Sequence, residues 1–172
     1  FIQNEQILCS SDEGYWSSHY AFICDEKGDI FQFKNRKSQE IFDAVVAHFE
    51  DLEVAIEIFC LKGRQLGIST RVALKFLHRM LFLPNTQAIM SSVNSEKSEL
   101  IGRIINICYE RSPWWLVPRK IADRVGKMIE FDNKSILSIQ SGMQPTGIAQ
   151  GWTPTCVHIS EVGDLPNPKK VL

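Results

Sequence analysis

Apolar positions along the chain alternate between helical spacing and short unbroken runs. Ile41, Phe42, Val45, Val46 and Phe49 predict an amphipathic helix over residues 38–50, opened by the polar cluster Asn35-Arg36-Lys37-Ser38. Ala55 to Leu61 is nearly continuous apolar sequence broken only by Glu57, and it suits a strand buried on both faces of a parallel sheet. A second helix follows, with Val72, Ala73, Phe76, Leu77 and Met80 on one face and Arg71, Lys75, His78 and Arg79 on the other. Gln87 to Val93 reads as another strand. Asn94 or Ser95 then caps a helix that runs to about Glu110 and is stopped by Ser112-Pro113.

Two hairpins complete the pattern. Tyr20 to Cys24 and Ile30 to Phe33 flank the turn Asp25-Glu26-Lys27-Gly28, and the first thirty-odd residues are read as this hairpin alone. Met128 to Phe131 and Ile136 to Gln140 flank Asp132-Asn133-Lys134-Ser135. Ser141 to Pro154, rich in Gly, Pro and Thr, is a loop, and Thr155 to Ser160 is a last buried strand. Strands alternating with helices predict an α/β layer structure.

Composition narrows the classes without selecting one. The 172 residues match about one domain, and 44% apolar with 23% charged residues excludes a disordered or collagen-like chain. Nineteen Lys and Arg against twenty Asp and Glu leave a net charge of −1, which argues against histone-like binding of nucleic acid. No apolar run approaches the ~18 residues of a membrane span, and the N-terminus does not resemble a signal peptide. The first residue is Phe1, so the chain is expected to be cut from a longer one. Cys9, Cys24, Cys60, Cys108 and Cys156 are widely spaced and odd in number, the pattern of reduced core thiols.

The chemistry concentrates where the first buried strand gives way to a helix, at Lys62-Gly63-Arg64-Gln65-Leu66-Gly67-Ile68-Ser69-Thr70. A strand, a glycine-bearing loop and a helix opening on Ser-Thr is the context of a phosphate-binding loop, in which backbone N–H groups and the helix N-terminus converge on phosphate oxygens. Gly67 permits the close turn, and Ser69 offers a hydroxyl to Mg²⁺. The usual G-x-x-x-x-G-K-[ST] spacing is not met: Lys62 stands at the first glycine position and Ile68 at the lysine position. Lys62 and Arg64 are the cations in reach, and an ordinary strand-to-helix turn fits the same residues. Downstream, Thr155 to Glu161 is a strand ending in a carboxylate. Ser160 stands where a Mg²⁺-holding aspartate is common, and Glu161 where a water-orienting glutamate is expected.

Other residues point less sharply. His158 lies mid-strand with no Ser or Asp arranged around it, and reads as a packed or hydrogen-bonded histidine. Trp114, Trp115 and Trp152 suit either base stacking or anchoring. The basic residues of the second helix are split between a nucleic-acid face and a solvated one. Arg111, Arg119, Lys120 and Arg124 could meet phosphates.

The segment Lys62 to Thr70 resembles the variant Walker A motif of large terminase subunits, the ATPases that package DNA in tailed bacteriophages, in the branch whose lysine is shifted to the start of the loop. Val157-His158-Ile159-Ser160-Glu161-Val162 is similar to that branch's Walker B segment, and Asp29 to Gln39 to its N-terminal hairpin and adenine-side glutamine motif. The resemblance covers about residues 20–165. It implies an additional-strand, RecA-like P-loop NTPase fold, with a largely parallel sheet flanked by helices and truncated at its C-terminal side. It divides the chain into a hairpin segment (1–37) and a partial ATPase domain (38–172) without the nuclease domain.

By the same resemblance, ATP is held by Gln39, Lys62, Gly63, Arg64, Gln65, Leu66, Gly67, Ile68, Ser69 and Thr70. Mg²⁺ is held by Ser69 and, through water, Ser160. Catalysis falls to Glu161, Lys62 and Arg64. The implied partners are double-stranded DNA, a small terminase subunit, a portal protein and further copies in a ring, with no membrane, in the cytoplasm of a bacterial host. The rivals are a helicase-like P-loop ATPase and a catalytically inactive DNA-binding or assembly module.

Overall fold

The computed structural model describes residues 1–25, 27–50, 52, 55–63, 65–93, 95–124, 127–141 and 153–161. Its centre is a five-stranded sheet of order β4-β5-β6-β3-β7, built from β3 (Gln87–Ser92), β4 (Lys120–Arg124), β5 (Met128–Phe131), β6 (Ile136–Ser141) and β7 (Cys156–Ile159). A separate two-stranded ribbon pairs β1 (Phe22–Cys24) with β2 (Ile30–Gln32). The helices are α1 (Ile2–Ser11), α2 (Glu13–Tyr20), α3 (Lys37–Glu50), α4 (Ile68–Phe82) and α5 (Ser95–Arg111). α4 and α5 pack on each other and on β3, giving a mixed α/β fold.

The expected largely parallel sheet is half realised. β3 pairs in parallel with both β6 and β7, while β4-β5 and β5-β6 are antiparallel. The cause is connection length: a tight turn can only return the chain antiparallel, whereas the path from β3 to β6 includes α5 and can cross over. The β5-β6 turn forms as its composition predicts. Lys134 adopts φ +68°, and the Asn133 Oδ1 accepts from the Ser135 N–H at 3.0 Å. β4 is not legible in the sequence because it is a charged edge strand, Lys-Ile-Ala-Asp-Arg, with little to bury.

A second correction concerns residues 55–61. They form no strand, and their side chains are exposed, Phe59 to 70%. A parallel strand needs a neighbour in the sheet and cover on both faces. Among the described residues this segment has no ladder partner, and its apolar side chains form one wall of a cleft instead.

The third correction is at the N-terminus, where α1 and α2 precede the hairpin. Their apolar residues follow no helical period; Asp12 separates them and caps α2, its Oδ1 accepting from the Tyr15 N–H at 2.9 Å. Cys9, Trp16, Ala21 and Phe33 join one hydrophobic core with Val72, Ala73, Leu77 and Met80 of α4 and with Met90 and Leu137 of the sheet. Three of the cysteines (Cys9, Cys108 and Cys156) are buried and Cys60 is exposed; all five are free thiols. No helix among the described residues is long and apolar enough to cross a membrane.

This N-terminal packing also decides the fate of the basic residues of α4. Arg71 is 2% exposed; its Nε donates to both Asp43 oxygens at 2.9 and 2.7 Å, and its Nη2 to Glu13 at 2.6 Å. Lys75 pairs with Glu13 at 3.1 Å, and Arg79 pairs with Glu50. His78 is buried between Trp16 and Phe82, with its Nε2 2.7 Å from the Cys9 carbonyl. The face read as solvated or nucleic-acid-binding is therefore an internal ion-pair seam to α2 and α3.

Replacing Arg71 with Met is expected to cost about 3–5 kcal/mol in urea unfolding, because two half-buried carboxylates lose their partner. Replacing Arg79 with Ala, at a more exposed pair, should cost under about 1 kcal/mol. Similar losses for both would refute the seam as a buried network. Burial holds the His78 imidazole below its ordinary value of 6.5; the charges of Lys75 and Arg71 add to this, while the Cys9 carbonyl and Glu13 oppose it. The unfolded chain thus takes up this proton at a higher pH than the folded one. The stability that neutral His78 contributes is full above pH 6.5 and falls on acidification. The advantage of wild type over His78→Gln in thermal melts should shrink below pH 6.5, and a pH-independent gap would contradict it.

Candidate functional site

The loop before α4 turns through two left-handed residues, Gln65 at φ +62° and Gly67 at φ +73°. Gly67 is the N-cap of α4 and brings no side chain to the helix start, so among the described residues its first-turn N–H groups and its positive dipole end have no competing side-chain acceptor. The N-terminus of α3 grips the loop from behind. Arg36 Nη1 donates to the Gln65 carbonyl at 2.8 Å, Ser38 Oγ to that of Leu66 at 3.2 Å, and Gln39 Nε2 to that of Gly67 at 2.8 Å.

The second half of the site arrives on β7. Its parallel pairing with β3 is prolonged by the Ser160 N–H, which donates to the Ser91 carbonyl at 2.8 Å. This brings the Ser160 Oγ to 3.3 Å from the Ser69 Oγ on the first turn of α4, across 91 residues of sequence. Glu161 follows, exposed and at φ +59°, a conformation that costs a non-glycine residue about 1 kcal/mol or more.

A cleft of about 1150 Å³ opens between residues 55–62 and β7, lined among others by Phe59, Lys62, Ile68, His158, Ser160 and Glu161. Burial, and secondarily the charge of Lys62, push His158 down to about 4, so its ring is neutral at pH 7. Its Nε2 is buried with no hydrogen-bond partner among the described residues, which leaves it packed, as expected, but unsatisfied.

The structure thus brings Lys62, Ser160 and Glu161 to one cleft, and Ser69 reaches this group through its 3.3 Å contact with Ser160. Gly63 is exposed with open space around it, Gln65 and Leu66 are exposed, and Ser69 and Thr70 are half-buried. Ile68 is a core residue, 5% exposed, so a lysine at that position would have to be buried. Gln39 is 2% exposed. Arg64, Trp152, Val162 and residues 142–151 lie outside the described residues. Trp114 is exposed, while Trp115 packs edge-on against Phe1 and Tyr20. Arg119 faces Asp132 at 3.9 Å, and Lys120 is held by Asp123 and Asn106.

Among the described residues no three His, Cys, Asp or Glu side chains cluster as metal ligands. Two serine hydroxyls near a carboxylate suit Mg²⁺ only if phosphate oxygens and water complete its shell, which is how that ion is usually bound. Sequence reasoning missed Arg36 and Ser38 as loop-gripping residues. The signal was present: Gln39 lies three residues after Arg36, and its Oε1 accepts from the Arg36 N–H at 2.8 Å, half of a capping box.

No family model matches the sequence, and no curated protein matches it.

The two left-handed residues of the loop yield mirrored expectations. Gly67→Ala should destabilise by at least about 1–2 kcal/mol from the backbone alone. It also places a Cβ 2.7 Å from the Gln39 Nε2. Gln65→Gly should gain about 0.5–1 kcal/mol, the relief of φ exceeding the entropy that glycine adds to the unfolded chain. Urea midpoints that move in the same direction for both would exclude this loop geometry.

Proposed function

We propose that the chain is the N-terminal ATPase region of a phage or prophage large terminase subunit, an additional-strand P-loop ATPase that hydrolyses ATP to move double-stranded DNA into a prohead. The observation that carries this reading is the 3.3 Å approach of Ser69 and Ser160, the two hydroxyls expected on one Mg²⁺, at the edge of a cleft that Ser160, Lys62 and Glu161 line. A loop without function has no reason to meet the end of β7 at those residues.

In this mechanism the backbone N–H groups of residues 64–69 cradle the phosphates, and Lys62, with Arg64, neutralises them. Mg²⁺, held by Ser69 and through water by Ser160, would supply charge neutralisation at the β- and γ-phosphates. Glu161 orients water for in-line attack. The wider assignment, with small terminase subunit, portal protein and a ring of copies as partners, rests on the motif resemblance alone.

The test is ATP binding and turnover by the full-length protein. Lys62→Ala should weaken binding and turnover together, and Glu161→Ala should keep binding while lowering turnover by about 10²-fold or more. Unchanged behaviour in both would move the inactive DNA-binding or assembly module ahead.

A further inference from the structure

Gln39 stands where the motif resemblance expects an adenine-reading side chain, yet both ends of its amide are spent inside the protein. Oε1 accepts from the Arg36 N–H and Nε2 donates to the Gly67 carbonyl, both at 2.8 Å. The residue is 2% exposed, so reading a base would require breaking one of these bonds within the core.

The position of those bonds gives Gln39 a different task. In a trans peptide the carbonyl of one residue and the N–H of the next point in opposite directions. Fixing the carbonyls of Gln65, Leu66 and Gly67 toward α3 therefore fixes the N–H groups of Leu66, Gly67 and Ile68 on the side away from α3. The three donors are Ser38 and Gln39 of the first turn of α3 and Arg36, the residue just before it. That turn is itself anchored, because Asp43, one turn beyond Gln39 on the same face, holds Arg71 of α4. Gly67 is shaped to receive the amide, since any side chain there would collide with Gln39 Nε2.

We propose that Gln39 is a positioning residue. With Arg36 and Ser38 it holds the loop's carbonyls back so that its amides are preorganised for the phosphates of a nucleotide, and it does not read the base. This rests on the phosphate-site reading above. It also states the substrate class: the site selects the triphosphate, and Gln39 contributes nothing to choosing adenine over guanine.

The experiment measures affinities of the full-length protein for ATP, GTP and inorganic tripolyphosphate, each with Mg²⁺, in wild type, Gln39→Glu and Ser38→Ala. The Glu side chain keeps the acceptor for Arg36 but loses the donor to Gly67. The expected result is a common loss for all three ligands, about tenfold for Gln39→Glu and a few-fold for Ser38→Ala, with the ATP-to-GTP ratio unchanged. Ser38→Ala, at an exposed bond, retains the readout if the buried substitution impairs folding. Loss confined to ATP would overturn the proposal in favour of base reading while keeping the phosphate site. Unaltered affinities for all three ligands in the variants would also overturn it. Wild type that binds none of the three would instead remove the phosphate site, and the positioning role with it.

Discussion

The burial of Arg71 is the constraint on which the rest of the structure depends. A guanidinium 2% exposed is tolerable only if its charge is matched and its donors are occupied, and no single element supplies both. Glu13 comes from α2 and Asp43 from α3, while Arg71 and Lys75 come from α4, so two carboxylates face two cations. Three helices distant in sequence are thereby fixed in register. The hydrophobic core alone would let them slide, because apolar contact is non-directional. The bidentate bonds of the guanidinium are directional.

That register reaches the site through α3. Gln39 and Asp43 share a face one turn apart, so the contact that places Asp43 on Arg71 also places Gln39 on Gly67. Elsewhere the loop is governed by left-handed backbone that Gln65 adopts at a cost. A strained loop keeps its shape only when its surroundings over-determine it, and three side-chain bonds to consecutive carbonyls do so here.

What the sequence made legible follows from where local signals suffice. α3, α4, α5, both hairpins and β7 carry periodic apolar residues or turn chemistry and were readable to within a few residues. α1 and α2 were not, since Trp16 and Cys9 are buried by contacts with α4 that no local period encodes. Missing them also hid the partner of Arg71, which is why its face looked solvated. Residues 55–61 failed for the opposite reason. Their apolar run is a true local signal, but a strand is a property of a pair, and no partner stands beside it among the described residues. Within the site, Lys62, Ser69, Ser160 and Glu161 were legible as motif positions, while the gripping role of Arg36 and Ser38 required the fold.

The same seam clarifies the charge of the cleft. Lys62, Lys75 and Arg79 all line it, but Lys75 is committed to Glu13 and Arg79 to Glu50. Among the described residues, Lys62 is the cleft cation with no ion pair, and its field already lowers His158. A neutral imidazole beside it adds no competing positive charge. An anion entering the cleft therefore meets unspent charge at Lys62, and Ile68 of the first turn of α4 lines the same cleft. If the loop is the phosphate site proposed above, a cation at its start takes the place of one at residue 68, which the core occupies. On the proposed phosphate-site reading, the displaced lysine fits how α4 is buried: residue 68 is apolar and belongs to the core, and the charge stands at the loop's other end.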